Sequence, residues 1–404
     1  MPEWRPQKLG ELVSIKHGFA FKGEYFTEVP PGPVLVTPGN FSIGGGFRKS
    51  KPKYYVGPVP EGFTLSQGDL VVTMTDLSKG ADTLGFPAII PDGGVYLHNQ
   101  RIGLVCISRP DLLDKKFLYY ALRVDAYHQH VVATATGSTV KHTSPNRICE
   151  YDIALPLLPE QQAVAEVLGA LDDKIALNER IRETSLSLAS ACYEANGTSG
   201  EPDLIGDLAV LFDGPHATPH KTETGPWFLS ISSLKNGYLD LTESAHLSEG
   251  DFPRWTRRVQ PKAGDVLFSY ETRLGDAALM PPGVRGSLGR RMALLRSKSA
   301  SVSGALLLHA YLSPAFQEEI KRRTVYGATV DRLPLKEMPS WRILLPAEGE
   351  RERLSARLEA LHATVTQTAN ENRTLADLRD TLLPQLLSGK LRVRDAVRTV
   401  EEAV

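Results

Sequence analysis

Arginine, lysine, amide and hydroxyl side chains gather in short clusters along this chain. Thr73, Thr75, Asp76, Ser78 and Lys79 follow a β-type run, Asn99, Gln100 and Arg101 form a second cluster, and Ser138, Thr139, Lys141 and His142 a third. In the second half Tyr270, Thr272 and Arg273, then Arg290 and Arg291, then Thr329 and Arg332 hold corresponding places, while Arg254, Arg257 and Arg258 surround Trp255. Arg, Lys, Asn and Gln hydrogen-bond to base edges, and Lys, Arg, Ser and Thr to phosphate oxygens. These clusters therefore suit a nucleic acid that is both held and read. A turn or surface role is the simpler reading of any one residue. Recurrence at equivalent places in two halves favours binding, although the bases recognised cannot be deduced.

Other chemistries find less support. Pro110-Asp111-Leu112-Leu113-Asp114-Lys115-Lys116 has the outline of a metal-dependent nuclease motif, but acids at a helix start are favoured by the dipole without any metal. His216-Ala217-Thr218-Pro219-His220 could bring two imidazoles near an ion; its proline breaks the helix that would align them, so a polar loop is the better reading. An amino-methyltransferase needs a polar-Pro-Pro-aromatic loop and a Gly-rich turn for its methyl donor, and neither occurs. Gly44-Gly45-Gly46 is isolated and reads as a hairpin turn. Gly389-Lys390 lacks the rest of a nucleotide-binding loop. The expectation is a chain with no catalytic centre, no metal and no cofactor of its own.

Composition sets the frame for these clusters. The 404 residues suffice for two to three domains. Hydrophobic content of 42% and charged content of 23% are those of an ordinary globular protein. No apolar run suits a membrane span and the N-terminus is not a signal peptide, so the expected location is cytoplasmic. Cys106, Cys149 and Cys192 are far apart and odd in number, which favours buried free thiols over disulfides or zinc. The net charge of −1 is unevenly spread: residues 251–298 hold ten Lys/Arg against four Asp/Glu, and Arg48, Lys49, Lys51 and Lys53 have no acid among them. Residues 159–195 instead carry seven acids against three bases. Phosphate binding needs local positive charge, not a basic whole chain.

The elements that must position the clusters occur twice. Leu9-Gly10-Glu11-Leu12-Val13 returns as Ile205-Gly206-Asp207-Leu208-Ala209, and Gly68-Asp69-Leu70-Val71-Val72-Thr73 as Gly264-Asp265-Val266-Leu267-Phe268-Ser269, both at an offset of 196. The offset is 190 for Arg101–Leu104 against Arg291–Leu294, Gly137–Val140 against Gly327–Val330, and Leu155-Pro156 against Leu345-Pro346. That period is too long for a solenoid and implies two copies of a domain-plus-helix unit. Val34–Val36, Leu70–Met74 and Ile102–Cys106 read as strands. One helix is expected from Asp111 to His130 on a stripe of Phe117, Leu118, Ala121 and Leu122. Another should run through Leu306, Leu307, Ala310 and Tyr311 to Lys321-Arg322-Arg323.

A long helix follows each copy after a proline-marked boundary, at Pro156–Pro159 and at Pro346. Val164, Leu168, Leu171 and Ile175 are spaced by fours and threes; the pattern slips near Asn178 and resumes with Ile181 and Leu188. Leu354, Leu358, Leu361, Val365, Leu375 and Leu382 mark the second helix, with Thr368, Asn372 and Arg379 on the same seam. This is a heptad pattern, and helices of about 37 residues would be about 55 Å long. Pairing of the two with each other is expected.

Leu155–Ile181 (LPLLPEQQAVAEVLGALDDKIALNERI) resembles the first conserved region of type I restriction-modification specificity subunits, where a Pro-rich stretch and a Glu-Gln pair precede a Leu-Asp-x-x-Ile step, here Leu171–Ile175. LRDTLLPQLLSGKLRV (378–393) resembles the end of that family's second region. GDLVVTMTD with LHNQRIGLV, and GDVLFSYETR with GRRMALL, resemble strand pairs of its target recognition domains. Pro346–Arg351 departs from the pattern by lacking the Glu-Gln pair.

The resemblance implies an α/β (α+β) architecture of two recognition domains (1–155 and 197–345), each followed by a helical spacer (156–196 and 346–391), and a tail (392–404). The spacers would pair as an antiparallel coiled coil with pseudo-two-fold symmetry. It further implies a non-catalytic subunit that reads a bipartite double-stranded DNA target separated by an unread gap. Such a subunit would carry two methyltransferase (modification) subunits and optionally two motor-nuclease (restriction) subunits. S-adenosylmethionine, ATP and magnesium would belong to those partners. A methylation-only system without a restriction subunit is the alternative.

Overall fold

Short runs of branched and aliphatic residues fold into the same four-stranded antiparallel sheet twice. The computed structural model describes residues 4–49, 52–197, 201–327 and 330–403. In the first copy β1 (Val13–His17), β2 (Leu70–Thr73), β3 (Pro87–Ile89) and β4 (Ile102–Ile107) lie in the order β1-β4-β2-β3. The Val/Ile-rich β2 and β4 suit the pleated surface, and β2 is buried throughout. A second sheet sets Val34–Val36 parallel to Tyr96–His98. In place of one helix from Asp111 to His130 there are two, α1 (Lys115–Ala121) and α2 (Asp125–Ala133). Asp114 caps α1 by accepting from the Phe117 N–H at 2.8 Å, so Asp111 precedes the helix. The break at Leu122–Val124 turns Arg123 inward, where it is buried. The chain then enters α3 (Leu158–Ala195).

The second copy repeats this plan with β5 (Ala209–Asp213), β6 (Val266–Ser269), β7 (Ala277–Leu279) and β8 (Met292–Ser297) in the order β5-β8-β6-β7. Register is preserved: Val71 stands between Leu104 and Ala88, and Leu267 between Leu294 and Ala278. The change of offset from 196 to 190 falls between β2 and β3, where the first copy has six more residues. Here too the expected single helix is two, α4 (Gly304–Leu312) and α5 (Pro314–Arg323). Pro314 has no N–H to continue α4 but is well placed in the first turn of α5, which Ser313 caps. Phe268, Leu295, Leu306, Tyr311 and Trp341 form the centre of this core. The chain ends in α6 (Glu348–Leu387) and α7 (Val393–Ala403), so the expected tail contains a helix with Ala396 buried.

Contacts divide the chain into two units, residues 1–174 with 374–404, and residues 175–373. Each holds one sheet module and parts of both long helices. In the first, Gln161, Val164, Leu168 and Leu171 of α3 and Leu375, Leu382 and Leu386 of α6 are buried. Each buried leucine contributes about 1.5–3 kcal/mol. In the second, α3 buries Asn178, Ser185, Ala189 and Cys192, and α6 buries Leu354, Leu358, Val365 and Thr368. Ile175 and Leu361 are only partly buried.

The heptad does not slip at Asn178. Threes and fours continue through Asn178, Arg182, Ser185, Ala189 and Cys192, and Leu188 is 44% exposed. Asn178 keeps its place because its Nδ2 donates to Glu371 at 3.0 Å, while Asn372 donates to the Ile175 carbonyl at 3.2 Å. Rising numbers on α3 meet falling numbers on α6, so the helices run antiparallel in this unit. Cys192 is buried as expected, whereas Cys149 is partly buried and Cys106 is exposed. Among the described residues no helix is long and apolar enough to cross a membrane.

Candidate nucleic-acid interface

The three polar clusters of the first module converge at one end of its main sheet. The Met74 N–H donates to the Arg101 carbonyl at 2.8 Å, and the Met74 carbonyl accepts from the Thr143 N–H at 3.0 Å. Thr75–Asp76 then pairs with Lys141–His142 as a short antiparallel ribbon. The Asn99 segment is seated by Gly18, where a Cβ would lie 2.1 Å from the Asn99 carbonyl oxygen. Thr75 is buried with its hydroxyl 3.1 Å from His142 Nδ1, and Asn99 Oδ1 accepts from the Arg101 N–H at 3.0 Å.

Asp76 is also buried, and its role differs from that expected of a base contact. Its carboxylate accepts from the Ser78 N–H (2.6 Å), the Thr83 N–H (2.5 Å) and the Thr83 hydroxyl (2.7 Å), closing the loop that the second copy lacks. Burial disfavours the charge, but these hydrogen bonds outweigh it and hold the carboxyl below the usual range. Lys79, Gln100, Arg101 and His142 remain exposed, with Lys141 partly so.

The second module builds the same convergence from different residues. The Tyr270 N–H donates to the Arg291 carbonyl at 3.1 Å, the Leu333 N–H donates to the Tyr270 carbonyl at 2.9 Å, and Glu271 bridges to Arg332. These are the Met74, Arg101, Thr143 and His142 contacts displaced by 196 and 190 residues. Arg291 lies at φ +71°, its Nε 2.9 Å from Glu271 and its Nη1 donating to Thr272 at 3.1 Å. Arg273 pairs with Asp276 at 2.5 Å, and Arg258 reaches Asp213 at 3.4 Å. Arg254, Arg257 and Arg290 are exposed and have no side-chain partner among the described residues. Arg290 lines a cleft of about 410 Å³ with Lys221 and Arg291. Arg254, Trp255, Arg257 and Arg258 line another of about 510 Å³ beside His216. Lys51 and Thr329 lie outside the described residues.

The motifs set aside on sequence grounds have structural occupations. Asp111 pairs with Arg109 at 2.7 Å. His216 Nε2 lies 3.1 Å from an Asp213 carboxylate oxygen, and its Nδ1 lies 3.3 Å from the Tyr270 hydroxyl. Burial, and then the Asp213 charge, pushes the Tyr270 phenol above its usual range. No group of three or more His, Cys, Asp or Glu could hold a metal among the described residues.

Sequence reasoning missed how each module docks on its helices. Gln161 is fully buried; its Nε2 donates to the carbonyls of Leu112 (2.7 Å) and Pro156 (2.9 Å), and its Oε1 accepts from the Asp114 N–H at 2.9 Å. At the offset of 190 stands Arg351, which donates to the Pro346 carbonyl at 2.9 Å and pairs with Asp203 at 2.7 Å. The missing Glu-Gln pair is thus replaced by a different side chain that makes the corresponding contact.

Asp172, of the Leu-Asp-x-x-Ile step, is a hub. It accepts from the Tyr120 hydroxyl (2.8 Å), Arg123 (3.1 Å) and Arg379 (2.8 Å). Arg123 also donates to the Gly44 carbonyl at 2.7 Å, and a Cβ on Gly45, whose φ is +91°, would lie 2.8 Å from its side chain. The position 190 residues after Asp172 is His362, whose Nε2 lies 3.0 Å from that of His309. Burial lowers the pKa of His309 to about 3, helped by His362, and that of His362 to about 4.

With this geometry in view, similarity to known proteins is informative. Residues 1–184 match the family model of the type I restriction modification DNA specificity domain. The chain is 23% identical to the type I restriction enzyme EcoBI specificity subunit of Escherichia coli, over 96% of this chain and 86% of that protein. It is 26% identical to the MjaVIII specificity subunit of Methanocaldococcus jannaschii, over 45% of this chain and 42% of that one. The fold matches that of the type I restriction-modification S subunit from M. genitalium with a TM-score of 0.57 at 16% identity, over 95% of this chain and 96% of that one. Residues 1–184 thus carry a type I restriction modification DNA specificity domain, and nearly the whole chain is similar to the specificity subunits of type I restriction enzymes.

Proposed function

We propose that each sheet module reads one half of a bipartite double-stranded DNA target, and that the chain scaffolds the subunits that modify and cut it. The observation that carries this reading is the repeated convergence: the same backbone hydrogen bonds bring basic and hydroxyl side chains to one end of each module, joined in the first by the amides of Asn99 and Gln100. Two such ends built from different side chains suit two different half-sites, as expected for an asymmetric target. The long helices set the unread gap. Two modification subunits and, in a restricting system, two restriction subunits supply catalysis together with S-adenosylmethionine, ATP and magnesium. This chain binds none of those and works in the cytoplasm beside the chromosome.

Methylome sequencing of the host with and without the gene tests the reading. The expected result is loss of one bipartite methylated sequence; an unchanged methylome would overturn it. The purified chain alone should neither methylate nor cut DNA with any of those cofactors, and activity that stays with the polypeptide through stringent purification would contradict the non-catalytic role.

A further inference from the structure

At both convergent ends a large apolar side chain stands in solvent among hydrogen-bonding groups. Leu77 is 66% exposed and Tyr326 is 75% exposed. Leu77 directly follows the Thr75–Asp76 ribbon, on the loop present only in the first module. That loop is tightly held. Asp76 binds both its ends, Ser78 Oγ accepts from the Asp82 N–H at 2.8 Å, and Ala81 and Leu84 are buried at 1% and 0% exposure. The loop therefore places its other apolar side chains in the core and holds Leu77 out on a fixed backbone.

The second module lacks this loop and presents its apolar side chain from the other arm of the site. Tyr326 follows Val325, whose N–H and carbonyl exchange hydrogen bonds with Arg332 at 2.9 and 3.1 Å. In each module the apolar group accompanies cations without a side-chain partner among the described residues, Lys79 and Arg101 in the first and Arg290 in the second. Phosphates offer nothing to leucine. The apolar parts of DNA are the thymine methyl in the major groove and the faces of bases where a step unstacks.

We propose that Leu77, and Tyr326 in the second module, make apolar contacts with the bases of the half-site their own module reads. This supplies selectivity that hydrogen-bonding residues alone do not. The proposal rests on the DNA-reading function above.

The test uses the full-length protein in the complex it forms in its host, binding duplexes that carry the target defined by the methylome. Leu77→Ala should weaken target binding by about tenfold or more, the scale of one lost base contact. Affinity for unrelated duplex, the salt dependence and the melting temperature should be unchanged. Leu77→Met should restore binding, and Tyr326→Ala should act in the same way on the second half-site alone. Lys79→Ala should instead weaken target and unrelated duplex together. Deoxyuridine in place of thymine separates the two contacts. If the parent loses the same factor and Leu77→Ala does not, the partner is a methyl group. If the parent is unaffected while 2-aminopurine in the half-site brightens only with the parent, the partner is an unstacked step. Unchanged target binding by Leu77→Ala, with Lys79→Ala impaired, would overturn the apolar contact and leave the DNA-reading function standing. A parent that does not distinguish target from unrelated duplex would overturn both.

Discussion

Two neighbouring arginines show what single residues can and cannot reveal. Arg290 and Arg291 are equivalent as residue types, and both belong to the polar cluster that sequence alone singles out. In the fold Arg291 is committed to Glu271 and Thr272, while Arg290 is exposed on the wall of a cleft. Arg290→Ala should therefore weaken reading of the second half-site with little change in stability. If the guanidinium meets a guanine edge, the loss should be about 1–3 kcal/mol and confined to one base position; if it meets phosphate, the loss should be uniform across sequences with a shallower salt slope. Arg291→Ala should act mainly by loosening the Glu271–Thr272 turn, seen as a lower melting temperature. Equal effects of both on binding, with neither altering stability, would refute this division. The clusters were legible because residue type limits which atoms can meet DNA. Their internal commitments were not, because Glu271, Asp276 and Asp213 reach these arginines only through the tertiary fold.

Elements were legible where a period dominates and illegible where a single side chain decides. The strands followed from runs of Val, Ile and Leu, but the apolar stripe through Phe117, Leu118, Ala121 and Leu122 carried the expected helix past its true end. The chain breaks there and Arg123 reaches Asp172, an interaction that no local pattern announces. Likewise the heptad of α3 was lost at Asn178 because its later seam is polar or small. Asp172→Asn should leave Arg123, whose side chain is 5% exposed, without its anion and cost about 3 kcal/mol in chemical denaturation. Adding Arg123→Met should recover part of that loss; full stability of Asp172→Asn would show that the hub is dispensable.

The His309–His362 pair, at the equivalent place in the second unit, gives a prediction of opposite chemistry. Both folded pKa values lie below the ordinary 6.5, so the pair is neutral when folded, while the unfolded chain takes up protons below that pH. Its stabilisation is complete above about pH 6.5 and is lost as the pH falls towards 4, at about 1.4 kcal/mol per pH unit for each histidine. His362→Gln, which keeps a hydrogen bond but cannot titrate, should flatten the fall of melting temperature between pH 6.5 and 4. An identical slope in parent and variant would exclude the pair as its source.

At the scale of the whole chain, the repeat was the most legible feature because it depends on no single residue. Offsets of 196 and 190 reappear as equal strand registers and equal backbone hydrogen bonds, and the six-residue difference is localised to the loop that carries Leu77. The contact pattern adds what sequence did not contain, a division at Lys174–Ile175 on α3 and at Arg373–Thr374 on α6. Those two points are where the helices should tolerate lengthening with least damage to either module. Seven residues keep the sequence of threes and fours intact, so the seam continues on the same helix face. They also lengthen each helix by about 10 Å, roughly the rise of three base pairs of DNA. An apolar heptad inserted at both points should therefore change the length of the unread gap in the host methylome while leaving the bases of both half-sites as they were. Inserting it into only one helix should abolish methylation, because the seam residues beyond the insertion would face the wrong partners. If the double insertion altered the bases read and kept the gap, the helices would carry recognition and the modules would not, which is the reverse of the division of labour proposed for this chain.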